Sequence, residues 1–82
     1  MIISVTKKHI RRGIAGDARR CPVGLAIGEM VSDPCLCVRR SCTWVNGLTI
    51  FNPRSVRRFI TRFDYGRWVR PFRFRLSLKE PR

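Results

Sequence analysis

Acidic residues are scarce in this chain: 5 Asp and Glu stand against 18 Lys and Arg in 82 residues, a formal net charge of +13. The carboxylates occur singly, so no paired general acid and base and no carboxylate cluster for a hard cation can be read. Histidine is rarer still, with His9 alone. No local spacing joins His9 to Cys21, so a cysteine nucleophile at that position lacks a base. Glycine forms neither a Walker nor a dinucleotide-binding pattern. No apolar run approaches the roughly 18 residues that a membrane helix needs. The start Met1-Ile2-Ile3-Ser4-Val5 lacks the charged segment and longer apolar stretch of a signal peptide. These absences predict a cytoplasmic non-enzyme with no cofactor, no small-molecule substrate and no membrane partner.

Repeats, low-complexity tracts and linkers are also missing, which predicts a single domain over residues 1–82. A domain of this length hides roughly 60% of its unfolded surface, enough for one modest core and too little for an enzyme-sized cavity. What the chain does have is arginine, 15 residues against 3 lysines. Self-repulsion at this charge density is relieved by a polyanionic partner, and nucleic acid is the first candidate. Nucleotide bias in the gene is the competing source of the arginine excess.

The hydrophobic pattern places the elements. Ile3 and Val5 alternate with Ser4 and Thr6 as a first strand, and Thr6 caps a short helical turn over Lys7–Ile10 that Gly13 ends. Pro22 suits a first helical position, and Val23, Ala26, Ile27 and Met30 share one face of a helix over 22–31 that Asp33-Pro34 closes. Gly24 and Gly28 weaken that helix unless another backbone approaches it closely. Period-two runs follow at Cys35–Val38, Cys42–Val45 and Leu48–Phe51. Asn46-Gly47 predicts a type I′ turn pairing Val45 with Leu48 and Thr43 with Ile50, and Arg39-Arg40 is a poorer turn. Asn52 as N-cap and Pro53 at the first position then open a helix over 53–64 whose apolar face is Val56, Phe59, Ile60 and Phe63, with Gly66 in the left-handed position beyond its end. Phe72, Phe74, Leu76 and Leu78 alternate with Arg73, Arg75, Ser77 and Lys79 in a last strand. The predicted class is α+β, one two-layer domain in the order β-α-β-β-β-α-β, with a small antiparallel or mixed sheet covered on one face by two helices.

Arg54, Arg57, Arg58 and Arg62 form the outer face of the 53–64 helix, at a spacing that can follow a phosphate backbone. A solvated face is the competing reading, although such faces usually mix charge signs and this one meets no acid before Asp64. Trp44, Tyr65 and Trp68 are interleaved with arginine. In Tyr65-Gly66-Arg67-Trp68-Val69-Arg70 the rings could stack bases while Arg67 and Arg70 hold phosphates. Phe59, Phe63, Phe72 and Phe74 belong to the core by their spacing, leaving Trp44 and Trp68 as the expected surface aromatics. Arg73 and Arg75 point from the opposite layer, so the charge wraps the domain, and no established nucleic-acid-binding signature accompanies it.

Cys21, Cys35, Cys37 and Cys42 could supply soft metal ligands with His9, but their order lacks the C-x2-C knuckle of a zinc site, so no metal is predicted. With Arg39-Arg40 as the turn, Cys37 lies opposite Cys42; buried free thiols are expected over a disulfide. A helix start next to Arg19 and Arg20 is an environment that lowers the Cys21 thiol pKa.

Two tracts, His9-Ile10-x-x-Gly13 with Cys21-Pro22-x-x-x-Ala26, and Phe59-Ile60-x-x-Phe63-Asp64-x-Gly66-x-x-Val69-x-Pro71-Phe72-x-Phe74-x-Leu76, resemble a family of small uncharacterised tailed-phage proteins. The resemblance runs from Val5 to Leu76 and implies a phage origin without an activity. Members of that family carry acids where this chain has Arg57, Arg62, Arg67, Arg73 and Arg75, so nucleic-acid binding does not carry over from it. The expected function is a non-enzymatic phage accessory protein that binds nucleic acid, or a host nucleoprotein complex, through Arg54, Arg57, Arg58, Arg62, Arg67, Arg70, Arg73, Arg75, Trp44 and Trp68. An anti-CRISPR-like inhibitor acting by protein contact alone is the alternative, and a virion-associated structural protein is the third.

Overall fold

A computed structural model describes residues 1–77 of the chain. The order is β1 (Ile2–Val5), α1 (Lys7–Arg12), α2 (Pro22–Met30), β2 (Cys37–Val38), β3 (Cys42–Val45), β4 (Leu48–Phe51), α3 (Arg54–Asp64) and β5 (Phe72–Arg75). The class is α+β, as the hydrophobic pattern predicts. The strands divide into two antiparallel sheets where one was expected: a β1-β5 ribbon and a β2-β3-β4 meander. Helix α2 packs against both β1 and β2 and so bridges them. Leu78 and Lys79, which the alternation adds to the last strand, lie outside the described residues.

The first strand and first helix follow from local chemistry. Thr6 caps α1, and its backbone N–H donates to Nδ1 of His9 at 2.9 Å in a reciprocal capping box. That bond makes Nδ1 the acceptor and leaves the proton on Nε2, which faces the Glu29 carboxylate on α2. The buried histidine therefore ties α1 to α2, a link no sequence spacing announced.

In α2, Pro22, Val23, Gly24, Ala26 and Ile27 are buried, while Met30, expected on the same apolar face, is exposed. The helix ends at Met30, and the next residue, Val31, turns into the core in its place. Gly24 is the close approach its position suggested: a Cβ there would lie 2.6 Å from the Arg19 carbonyl oxygen.

The hairpin pairs Val45 with Leu48 and Thr43 with Ile50, as Asn46-Gly47 predicts, and both turn residues have positive φ. Strand β2 is shorter than the Cys35–Val38 run, because Asp33 Oδ1 accepts the Cys35 N–H and bends the chain there. Its register also differs from expectation. Cys37 pairs with Trp44 and Val38 with Thr43, which moves the connection one residue on from Arg39-Arg40 and takes Cys37 away from Cys42. All four cysteines are free thiols, but only Cys21 is buried: Cys37 and Cys42 are half-buried and Cys35 is exposed.

Asn52 is not the cap of α3. Pro53 occupies that position without a side-chain hydrogen bond, and the helix begins at Arg54. The Asn52 side chain turns inward, accepting from Thr43 Oγ1 at 2.7 Å and donating to the carbonyls of Arg39 and Arg40 at 2.7 and 3.1 Å. Satisfying a buried hydroxyl outweighs a cap, whose helix N–H groups water can reach. Helix α3 buries Val56, Phe59 and Ile60 as its period requires. Phe59 meets Phe72 of the ribbon with ring centroids 4.7 Å apart, and Phe72 lies 5.7 Å from Phe74. Phe59 and Phe74 are core residues, and Phe63 and Phe72 are half-buried against the same core.

Candidate functional site

Packing α3 through Phe59 directs its arginines outward. Arg54, Arg57, Arg58 and Arg62 together line one shallow depression with Thr61, of about 330 Å³. On the other flank of Arg58 and Arg62 runs a larger groove of about 570 Å³, walled by the chain leading into β5. Phe59 and Phe72 lie at its base, and Trp68 and Arg70 form the far wall. The Arg70 guanidinium carbon sits 5.3 Å from the Trp68 ring centroid, a cation–π pair that orders both groups at the rim. Trp68 is 70% exposed.

Why the chain returns here is a matter of the helix end. Gly66 adopts φ +71°, and the Arg67 N–H donates to the Arg62 carbonyl at 2.8 Å, which closes α3 and sends residues 68–72 back along it. Arg67 is exposed at this corner and lines neither hollow. Arg73 and Arg75 occupy the face of the ribbon away from Phe72 and Phe74, opposite Ser4 and Ile2. Trp44 is 58% exposed on the outer face of the β2-β3-β4 sheet. The ten residues singled out in the sequence thus separate: Arg54, Arg57, Arg58, Arg62, Arg70 and Trp68 form one continuous surface, and Arg67, Arg73, Arg75 and Trp44 do not join it.

Two further aromatics are exposed: Tyr65, whose tract reads as one that could stack bases, and Phe51, which the sequence reading does not single out. Phe51 is 82% and Tyr65 74% exposed, so Trp44 and Trp68 are not the only surface rings. Phe51 was legible: with Thr43 paired to Ile50 on the inner face, the next residue must face outward beside Cys42 and Trp44.

Among the described residues no carboxylate lines either hollow. Asp64 accepts the Gly16 N–H at 3.1 Å. The N–H groups of Arg19 and Arg20 hold the Asp17 carboxyl below its ordinary pKa, and those of Asn46 and Cys35 do the same for Asp33. Among the described residues no arginine forms an ion pair with a carboxylate, and no three His, Cys, Asp or Glu side chains converge as metal ligands would. Cys21 corrects an expectation. Burial pushes its thiol pKa up, outweighing the hydrogen bonds from the Gly24 and Val23 N–H groups at the helix start, and the charges that act on it, the Asp64 and Asp17 carboxylates, raise it further. No helix among the described residues is long and apolar enough to cross a membrane. No known family, curated protein or solved structure matches the chain.

Proposed function

We propose that the protein is a non-enzymatic nucleic-acid-binding domain whose contact surface is the outer face of α3 together with the groove between α3 and residues 68–72. The observation that carries the proposal is the convergence of five guanidinium groups, from Arg54, Arg57, Arg58, Arg62 and Arg70, beside the exposed Trp68 ring, with no carboxylate neutralising them among the described residues. Guanidinium forks bind phosphate oxygens in pairs, and release of condensed counter-ions supplies the affinity. An indole held at the groove rim offers a flat face to an unpaired base. A solvated surface of mixed sign would need none of this. An accessory role in the host cytoplasm during infection, which the tailed-phage resemblance of the His9-to-Ala26 and Phe59-to-Leu76 tracts implies, is part of this proposal.

Anisotropy of a labelled single-stranded oligonucleotide at low salt tests the surface. Gln at positions 58, 62 and 70 is expected to weaken binding by about tenfold or more, and Gln at positions 73 and 75 to change it little. The reverse ranking would move the site to the ribbon. If the wild-type chain ignores naked nucleic acid yet keeps a host protein through nuclease treatment, inhibition by protein contact replaces this proposal.

A further inference from the structure

We propose that the outer face of the β2-β3-β4 sheet is a second, separate contact: a base-stacking platform for single-stranded nucleic acid made by Trp44 and Phe51, with Arg39 as its phosphate clamp. The inference rests on nucleic acid being the ligand, and it adds a site that shares no residue with the groove beside α3.

The register puts the two rings together. Cys37 pairs with Trp44 and Trp44 with Thr49, while Cys42 pairs with Phe51, so Trp44 and Phe51 are diagonal neighbours on adjacent strands of one face. Diagonal positions lie about 7–8 Å apart, within reach of aromatic side chains and of successive bases. Both rings are turned to water, at 58% and 82% exposure. The core does not need them: the inner face of the same strands is filled by Val38, Thr43 and Val45, with Ile50 packed against it. Arg39 and Trp44 line one depression of about 150 Å³, together with Thr49 and the half-buried thiols of Cys37 and Cys42.

The platform is also braced. Asp33 Oδ2 accepts the N–H of the turn residue Asn46 at 2.6 Å, and Asn52 grips the carbonyls of Arg39 and Arg40. Both ends of β3 are thereby fixed before any ligand arrives, which lowers the ordering cost of binding.

Charge selects the occupant. A second copy of a chain at +13 would meet its own field, and a two-fold contact would set Arg39 and its equivalent on one small interface. Duplex bases are stacked on one another and show only their edges. An unpaired strand offers flat faces for the rings and phosphates for Arg39.

The two tryptophans make the test selective. Trp68→Phe leaves Trp44 as the sole indole, and Trp44→Phe leaves Trp68. Titrated with oligothymidylate, Trp44 emission is expected to fall, and to stay unchanged with a duplex of equal length. Phe51→Ala is expected to weaken strand binding roughly 5- to 150-fold with an unaltered circular dichroism spectrum. If Trp68 responds and Trp44 does not, the platform is wrong and the groove stands. If neither responds and no strand binds, the nucleic-acid reading falls and the platform with it. A Trp44 change that follows protein concentration without oligonucleotide would mean that a second copy covers the face, and would overturn the inference.

Discussion

At the scale of single side chains, Asn52 has the most consequential placement. Its amide joins the inner face of β3 to the Arg39–Arg40 backbone, with Thr43 fully buried beneath it. Asn52→Ala leaves a buried hydroxyl and two carbonyls without that partner. It is expected to cost about 1–3 kcal/mol in urea denaturation, where a cap residue exposed to water would cost about 1. Asp33 makes the other brace, and Asn cannot replace it: one amide oxygen can accept from Cys35 or from Asn46, and the NH2 group then faces the remaining N–H donor. Because the folded state holds this carboxyl below its ordinary value of 3.8, its contribution is complete above that pH and is lost as pH falls through the lower folded value. Asp33→Asn is therefore expected to lower the melting temperature at neutral pH and to flatten its decline as pH falls below the ordinary carboxyl value of 3.8. An unchanged acid limb would show that Asp33 is not ionised in a favourable setting. Neither role could be read in the chain, since an Asn before Pro and an Asp before Pro both resemble ordinary punctuation and, apart from the Cys35 N–H, their partners lie 9 to 13 residues away.

Elements with a strong local signal were legible, and those set by partners were not. Helix α3 has a full apolar stripe and β5 strict alternation, so their inward faces follow from period alone. Phe59→Ala is expected to cost about 3–5 kcal/mol, measured by chemical denaturation, because its ring joins the helix to Phe72 of the ribbon and stacks on Phe63 one turn along. A loss below about 1 kcal/mol would mean that α3 does not pack through this face. Strand β2 is the opposite case: its two residues carry little periodicity, and the turn after it was misplaced by one residue, which reassigns Cys37 from Cys42 to Trp44. The division into two sheets was equally hidden, because pairing of β1 with β5 joins residues some 70 positions apart in sequence and leaves no local trace. The groove has the same origin. Its helix wall was visible in the sequence, but the approach of Trp68 and Arg70 depends on how the chain returns beyond Gly66.

At the scale of the whole molecule, the charge is distributed on every side, yet its arrangement is uneven. Arg73 and Arg75 stand on the ribbon face, whereas five arginines gather on α3 and the groove beside it, with Trp68 among them. Composition alone explains an excess of arginine; it does not explain that gathering beside an exposed indole. The most direct measurement is the dependence of single-strand affinity on salt. At about 0.7 per phosphate, Gln at positions 54, 57, 58, 62 and 70 is expected to lower the slope of log affinity against log salt by about 3 to 4, with stability nearly unchanged because all five residues are exposed. A slope that survives these substitutions and falls instead with Gln at positions 73 and 75, or a wild-type chain with no salt-dependent binding at all, would contradict the account.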